Sequence, residues 1–130
     1  MTWMLDTNAL RDILRGEPGI VDRFRALPPS AFVVSPISIT ELRFGIHRRD
    51  PHGRLHASLA DLLSGLHIEP LTADAADLAG RLMGDRSKQG RPLHLADALI
   101  ASQALIGKHV LVTRDRDFTD IPELVLDDWL

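Results

Sequence analysis

Four acidic positions in this chain lie at the edges of apolar segments, where acids are least expected. Asp6 follows Trp3-Met4-Leu5, and Glu41 lies in Ser38-Ile39-Thr40-Glu41-Leu42. Asp97 sits inside Leu95-Ala96-Asp97-Ala98-Leu99-Ile100, and Asp115 with Asp117 closes Val110-Leu111-Val112-Thr113-Arg114-Asp115-Arg116-Asp117. A carboxylate against apolar neighbours loses hydration, so it protonates, pairs or binds a metal. Carboxylates about 4 Å apart repel by roughly 4 kcal/mol per pair at an effective dielectric near 20, so a shared site calls for cations. An oxygen-only donor set, in a chain with no cysteine and no HExxH pattern, favours Mg²⁺ or Mn²⁺ over zinc. One or two such ions can activate water and stabilise a leaving oxygen in phosphodiester cleavage. The acids therefore point to a metal-dependent nuclease.

Each acid also has a simpler structural role to weigh. Asp6 can end a strand and cap the following helix. Glu41 fits a capping box with Ser38. Asp97 has the weakest such alternative, because Leu95, Ala96, Ala98, Leu99 and Ile100 surround it. Asp115 and Asp117 fit an ordinary loop, and Asp115, nearer the strand, is the favoured fourth acid. Thr7, Asn8, Ser38 and Thr113 are positioned to orient carboxylates or water, or simply to cap. His52 and His56 are spaced i,i+4 but have no acid beside them in an apolar setting, and no P-loop or GxGxxG pattern occurs.

Positioning these groups requires strands that alternate with helices. A short apolar run at residues 2–5 precedes Thr7-Asn8 and a helical stripe, and residues 21–27 form a second helix. Pro28-Pro29-Ser30 then leads into the strand Phe32-Val33-Val34. A helix opening at Ser38 and a Leu-rich helix at residues 55–66 form a hairpin interrupted at Pro51. Residues 67–71 are the third strand, 73–89 a long helix, and 93–106 another, stopped by Gly107. Residues 110–112 and 124–126 supply the fourth and fifth strands. The alternation implies an α/β fold with a parallel, helix-covered sheet. Ligands collect at the carboxyl ends of such strands, where Asp6 and Asp115 fall. Glu41 and Asp97 are expected in the first turns of helices, where the macrodipole favours their ionised form.

The chain has 130 residues, 45% of them apolar and 25% charged, which is enough for one core in one domain over residues 1–130. Absent cysteine, no leader and no apolar run of membrane length give a cytoplasmic expectation. The net charge of −3 argues mildly against a polyanionic partner. Basic residues nevertheless cluster at Arg43, Arg48, Arg49 and Arg54, at Arg81, Arg86, Lys88 and Arg91, and at Arg114 and Arg116. Cations bound by the acids would leave that surface more positive than the composition says.

Taken in order, the Leu5-Asp6-Thr7-Asn8, Ser38-Ile39-Thr40-Glu41-Leu42, Leu95-Ala96-Asp97-Ala98 and Thr113-Arg114-Asp115-Arg116-Asp117 segments resemble those of PIN-domain ribonucleases. The likeness is strongest to the VapC toxins of bacterial toxin–antitoxin pairs and spans the whole chain. It implies a three-layer α/β/α sandwich with a mainly parallel sheet of four to five strands. It also implies metal-binding acids at Asp6, Glu41, Asp97 and Asp115, supported by Thr113, with Asp117 an alternative fourth acid. By the same resemblance the substrate is RNA, cut by water activated by Mg²⁺ or Mn²⁺, and the toxin is a homodimer. Its partner is a VapB-like antitoxin whose C-terminal segment lies over the toxin and often places an arginine among the acids; the hairpin at residues 37–66 is a candidate groove for it. Two other readings compete: an aspartate-nucleophile phosphatase, disfavoured because Asp6-Thr7-Asn8 lacks the second acid, and a non-catalytic co-repressor module of an antitoxin complex.

Overall fold

A computed structural model describes residues 1–129. Five strands, β1 (Trp3–Leu5), β2 (Phe32–Val34), β3 (His67–Ile68), β4 (Val110–Val112) and β5 (Leu126–Asp127), form one sheet in the order β3-β2-β1-β4-β5. Every pairing is parallel, with Leu5 in register with Val34 on one side and Val112 on the other. The chain runs outward from β1 to β2 and β3, then returns to place β4 on the other side of β1. The order of strands thus reverses between β1 and β4, which opens a crevice at their carboxyl ends.

Alternation along these short strands feeds two cores. Leu5, Phe32, Val34 and Val112 face α1 (Thr7–Arg15), α2 (Pro18–Arg25), α3 (Pro36–Arg49) and α4 (Leu55–Ser64). Met4, Val33 and Leu111 face α5 (Ala73–Lys88) and α6 (Leu95–Gly107). This is the expected α/β/α sandwich, and each fully buried Leu, Met or Phe contributes about 1.5 to 3 kcal/mol of transfer free energy. Phe32 anchors the first core, with its ring 4.7 Å from Phe24 and 5.7 Å from Trp129 between centroids. Alanines 98, 101 and 104 are buried on α6, and their small side chains let that helix lie close against the sheet and α5.

Several helix ends differ from the sequence expectation. The second helix begins earlier, because Pro18 occupies its first turn, where a missing amide costs nothing. Ser35, not Ser38, caps α3 by accepting from the Ile37 amide at 3.1 Å, and Pro36 starts the helix. The Ser38–Glu41 capping box is therefore absent, and Glu41 lies in the second turn, beyond the strongest part of the macrodipole. The helix ends before Pro51, which disfavours helical backbone at Asp50. Gly107 does not stop α6; Lys108 follows it in left-handed conformation at φ 56°. The third and fifth strands shrink to two residues each, and the fifth is shifted to Leu126–Asp127. Among the described residues no helix is long and apolar enough to cross a membrane.

Candidate active site

Asp6 is the first residue after β1 and is 4% exposed. It caps α1, its Oδ1 accepting from the Ala9 amide at 2.7 Å, and it also holds a hydrogen bond with the Thr113 hydroxyl beyond β4. Thr113 Oγ1 in turn accepts from the Asp115 amide at 3.0 Å. One hydroxyl thereby ties the carboxylate after β1 to the main chain after β4. Burial raises the Asp6 pKa; the Thr113 and Ala9 bonds pull it back down, and Asp115 and Asp12 push it further up. Capping and clustering are compatible roles for this one residue.

Thr7, buried at the start of α1, reaches across to α3. Its Oγ1 lies 2.6 Å from Glu41 Oε1 and 3.1 Å from Ser38 Oγ. A hydroxyl carries one proton, so the short bond to the carboxylate takes it and the Ser38 hydroxyl fills the remaining contact. Ser38 acts on Glu41 through Thr7 rather than through the helix cap. Asn8 is exposed, and its Oδ1 accepts from Arg11. Its amide offers no acid to protonate a leaving group, which leaves the phosphatase reading without support.

Asp97 occupies the first turn of α6, where the helix N-terminus favours negative charge. Its pKa is nevertheless pushed up to about 6, by burial first and then by Asp115, Glu41 and Asp117, with His94 opposing. Asp115 caps a 3-10 turn (Arg116–Phe118), its Oδ1 accepting from the Asp117 amide at 2.9 Å. That turn brings Asp115 and Asp117 to the same side. Carboxylate oxygens of Asp97, Asp115 and Asp117 all lie within 4.8 Å of one another. The two late acids thus share the site, with Asp115 half-buried and Asp117 exposed.

A cleft of about 250 Å³ joins Asp6, Thr7, Asn8, Glu41, Asp97, Asp115 and Asp117. Every acid predicted from the sequence meets there, and Ser38 and Thr113 stand behind them. Arg11 and His94 also line it; neither stood out by type, although His94 is the residue from which α6 starts. None of the five acids forms an ion pair among the described residues. Converging oxygen donors without an ion-pair partner suit a hard divalent ion. One expected surface charge is not there: Arg86 is buried, so the second basic cluster has one cation fewer on the surface. Two larger grooves, each of about 720 Å³, are present: one beside α5, the other between α1, α3 and α4, adjoining the cleft at Arg11 and Glu41. The α5 groove lacks the convergent carboxylates of the cleft.

A parallel α/β sandwich with carboxylates gathered at its switch point defines the class. The PIN domain family model matches residues 3–124, and the chain belongs to that family. It is 26% identical over 130 residues to the tRNA(fMet)-specific endonuclease VapC of Shigella flexneri, covering 99% of this chain and 98% of that one. It is 28% identical over 132 residues to Ribonuclease VapC2 of Rickettsia felis, with coverage of 99% and 98%. The fold matches the crystal structure of DNA-bound VapBC from Salmonella typhimurium with a TM-score of 0.90 at 28% identity, covering 100% of this chain and 99% of that one. The match to VapBC2 from Rickettsia felis, bound to a fragment of promoter DNA, has a TM-score of 0.88 at 27% identity over 100% of both chains.

Proposed function

We propose that this protein is an Mg²⁺- or Mn²⁺-dependent endoribonuclease, the toxin of a VapBC-type toxin–antitoxin pair. The observation that carries the reading is the meeting of Asp97, Asp115 and Asp117 within 4.8 Å, in a cleft whose acids form no ion pair among the described residues. Asp6, Glu41, Asp97 and Asp115 would hold the ion, with Asp117 beside them. A bound divalent ion neutralises the carboxylates, acidifies a water and stabilises the leaving oxygen. The chain's own groups prepare that site. Ala9 and Thr113 fix Asp6, Thr7 aims Glu41, and the first turn of α6 holds Asp97. Arg11 and His94, which line the cleft, are its candidate donors to the phosphate oxygens of a bound strand. The choice of RNA follows from the likeness to named ribonucleases along nearly the full length.

The antitoxin partner follows from the likeness to VapBC assemblies. The groove between α1, α3 and α4 supports it: Leu14, Leu42, Phe44 and Ile46 line an apolar trough that shares Arg11 and Glu41 with the acid cleft. A segment laid there would end among the acids and exclude RNA, and the free protein is expected to be a homodimer over one PIN domain. The test is RNA cleavage by the purified protein with Mg²⁺ or Mn²⁺, with EDTA, and after addition of the small protein encoded beside its gene. Cleavage that survives EDTA and Asp97→Asn would overturn the reading.

A further inference from the structure

Behind the acids stands an arginine that the cleft itself does not contain. Arg86, near the end of α5, is 6% exposed and forms no ion pair among the described residues. A buried guanidinium without a carboxylate is costly unless its donors are filled. Its Nη2 is aimed at main chain, donating to the carbonyl oxygens of Asp117 and Thr119 at 2.5 and 2.8 Å. Those carbonyls belong to the turn whose side chains are Asp115 and Asp117. Phe118, between them, is 2% exposed and packs into the α5–α6 core. A second tie, Arg91 to Asp120 at 3.0 Å, is largely exposed on both sides and contributes little.

We propose that Arg86 is a positioning residue for the acid cluster. Its guanidinium bridges two carbonyls of the turn from inside, and this holds Asp115 and Asp117 on the far side, within reach of Asp97. Both bonds leave from Nη2; a lysine carries its ammonium on a flexible stem without the planar group that fixes the direction of that nitrogen, so even Arg86→Lys loosens the turn. The consequence for a bound ion rests on the nuclease reading above; the clamp on the turn does not.

The experiment compares wild type, Arg86→Lys, Arg86→Leu and the exposed control Arg91→Gln by two measurements: amide hydrogen exchange without metal, and Mn²⁺ titration calorimetry. In folded Arg86 variants, exchange at residues 116–119 should rise at least about tenfold while β1 and β4 keep their protection, and Mn²⁺ affinity should fall about tenfold. Arg91→Gln should match wild type in both. If Arg86→Leu does not fold, Arg86→Lys decides. Turn exchange and Mn²⁺ affinity within twofold of wild type in folded Arg86→Lys would overturn the proposal. So would faster exchange spread evenly over the chain with unchanged affinity, which is a purely structural role. A wild-type protein that binds no Mn²⁺ would instead defeat the nuclease reading, and turn-specific exchange alone would then decide the clamp.

Discussion

Asp6 caps α1 and Asp12 lies within it, yet their surroundings differ. Asp12 accepts from Arg114 at 2.6 Å. Glu69 likewise meets His109 at 2.7 Å, and Asp127 accepts from Trp129 Nε1 at 3.0 Å with Arg23 at 3.7 Å. At the mouth of the sheet, Asp6, Glu41 and Asp115 accept from amide or hydroxyl groups, and neither they nor Asp97 and Asp117 form a salt bridge among the described residues. Where stability is the only demand, this fold gives an acid a basic partner. At the cleft it crowds acids together without an ion-pair partner.

Neutralising the unpaired acids gives the largest expected effect. Asp97→Asn should abolish RNA cleavage, a loss beyond the roughly 10- to 100-fold that supporting groups of a metal site contribute, while metal-free thermal stability is unchanged or raised because repulsion is relieved. Asp6→Asn should be equally inactive and still folded, since asparagine caps a helix as well as aspartate does. Cleavage assays paired with thermal melts check both. An inactive Asp97→Asn that also melts well below wild type would erase the contrast, because that acid would then be structural.

Thr113→Val should come next, weakening Mn²⁺ binding by about 10- to 100-fold. It removes the hydroxyl that joins Asp6 to the Asp115 amide, and titration calorimetry measures the loss. A third expectation concerns pH. With its pKa near 6 in the fold against about 3.9 in the unfolded chain, Asp97 takes up a proton on folding between those values. Its contribution to metal-free stability is therefore present at pH 4 and lost as pH rises through 6. Saturating Mg²⁺ should cancel or reverse that trend, because the ion favours the carboxylate, and cleavage should fall below pH 6; melts across pH with and without Mg²⁺ test the sign. Smallest of all, Asp12→Asn should cost about 1 kcal/mol of stability, as expected for a pair with one exposed partner, and leave cleavage within a few-fold. A loss of activity comparable to that of Asp97→Asn would show that the paired acids belong to the site after all.

The strand-end rule located Asp6 and Asp115 because it needs only the position of an apolar run and the few residues that follow it. Asp97 was legible for a related reason: a helix apolar on all sides leaves an acid in its first turn little to do but face a ligand. Helix starts were harder to read. Both Ser35 and Ser38 are capping types, and Pro36, which gave the start to Ser35, acts through backbone geometry rather than through hydrophobic pattern. Arg86 looked like one member of a surface cluster, since burial of an arginine depends on carbonyls more than thirty residues away.

What the sequence by itself determined, then, is the alternation of apolar runs that makes a parallel sheet and the placing of acids at its carboxyl edge, both consequences of local pattern. Tertiary structure alone decided which of those acids meet. The return of the chain to set β4 beside β1 brings Thr113 to Asp6, Thr7 reaches from α1 to Glu41 on α3, and the turn held by Arg86 carries both Asp115 and Asp117 to Asp97. The choice between those two late acids had no answer in spacing, because a single 3-10 turn presents both to the same side.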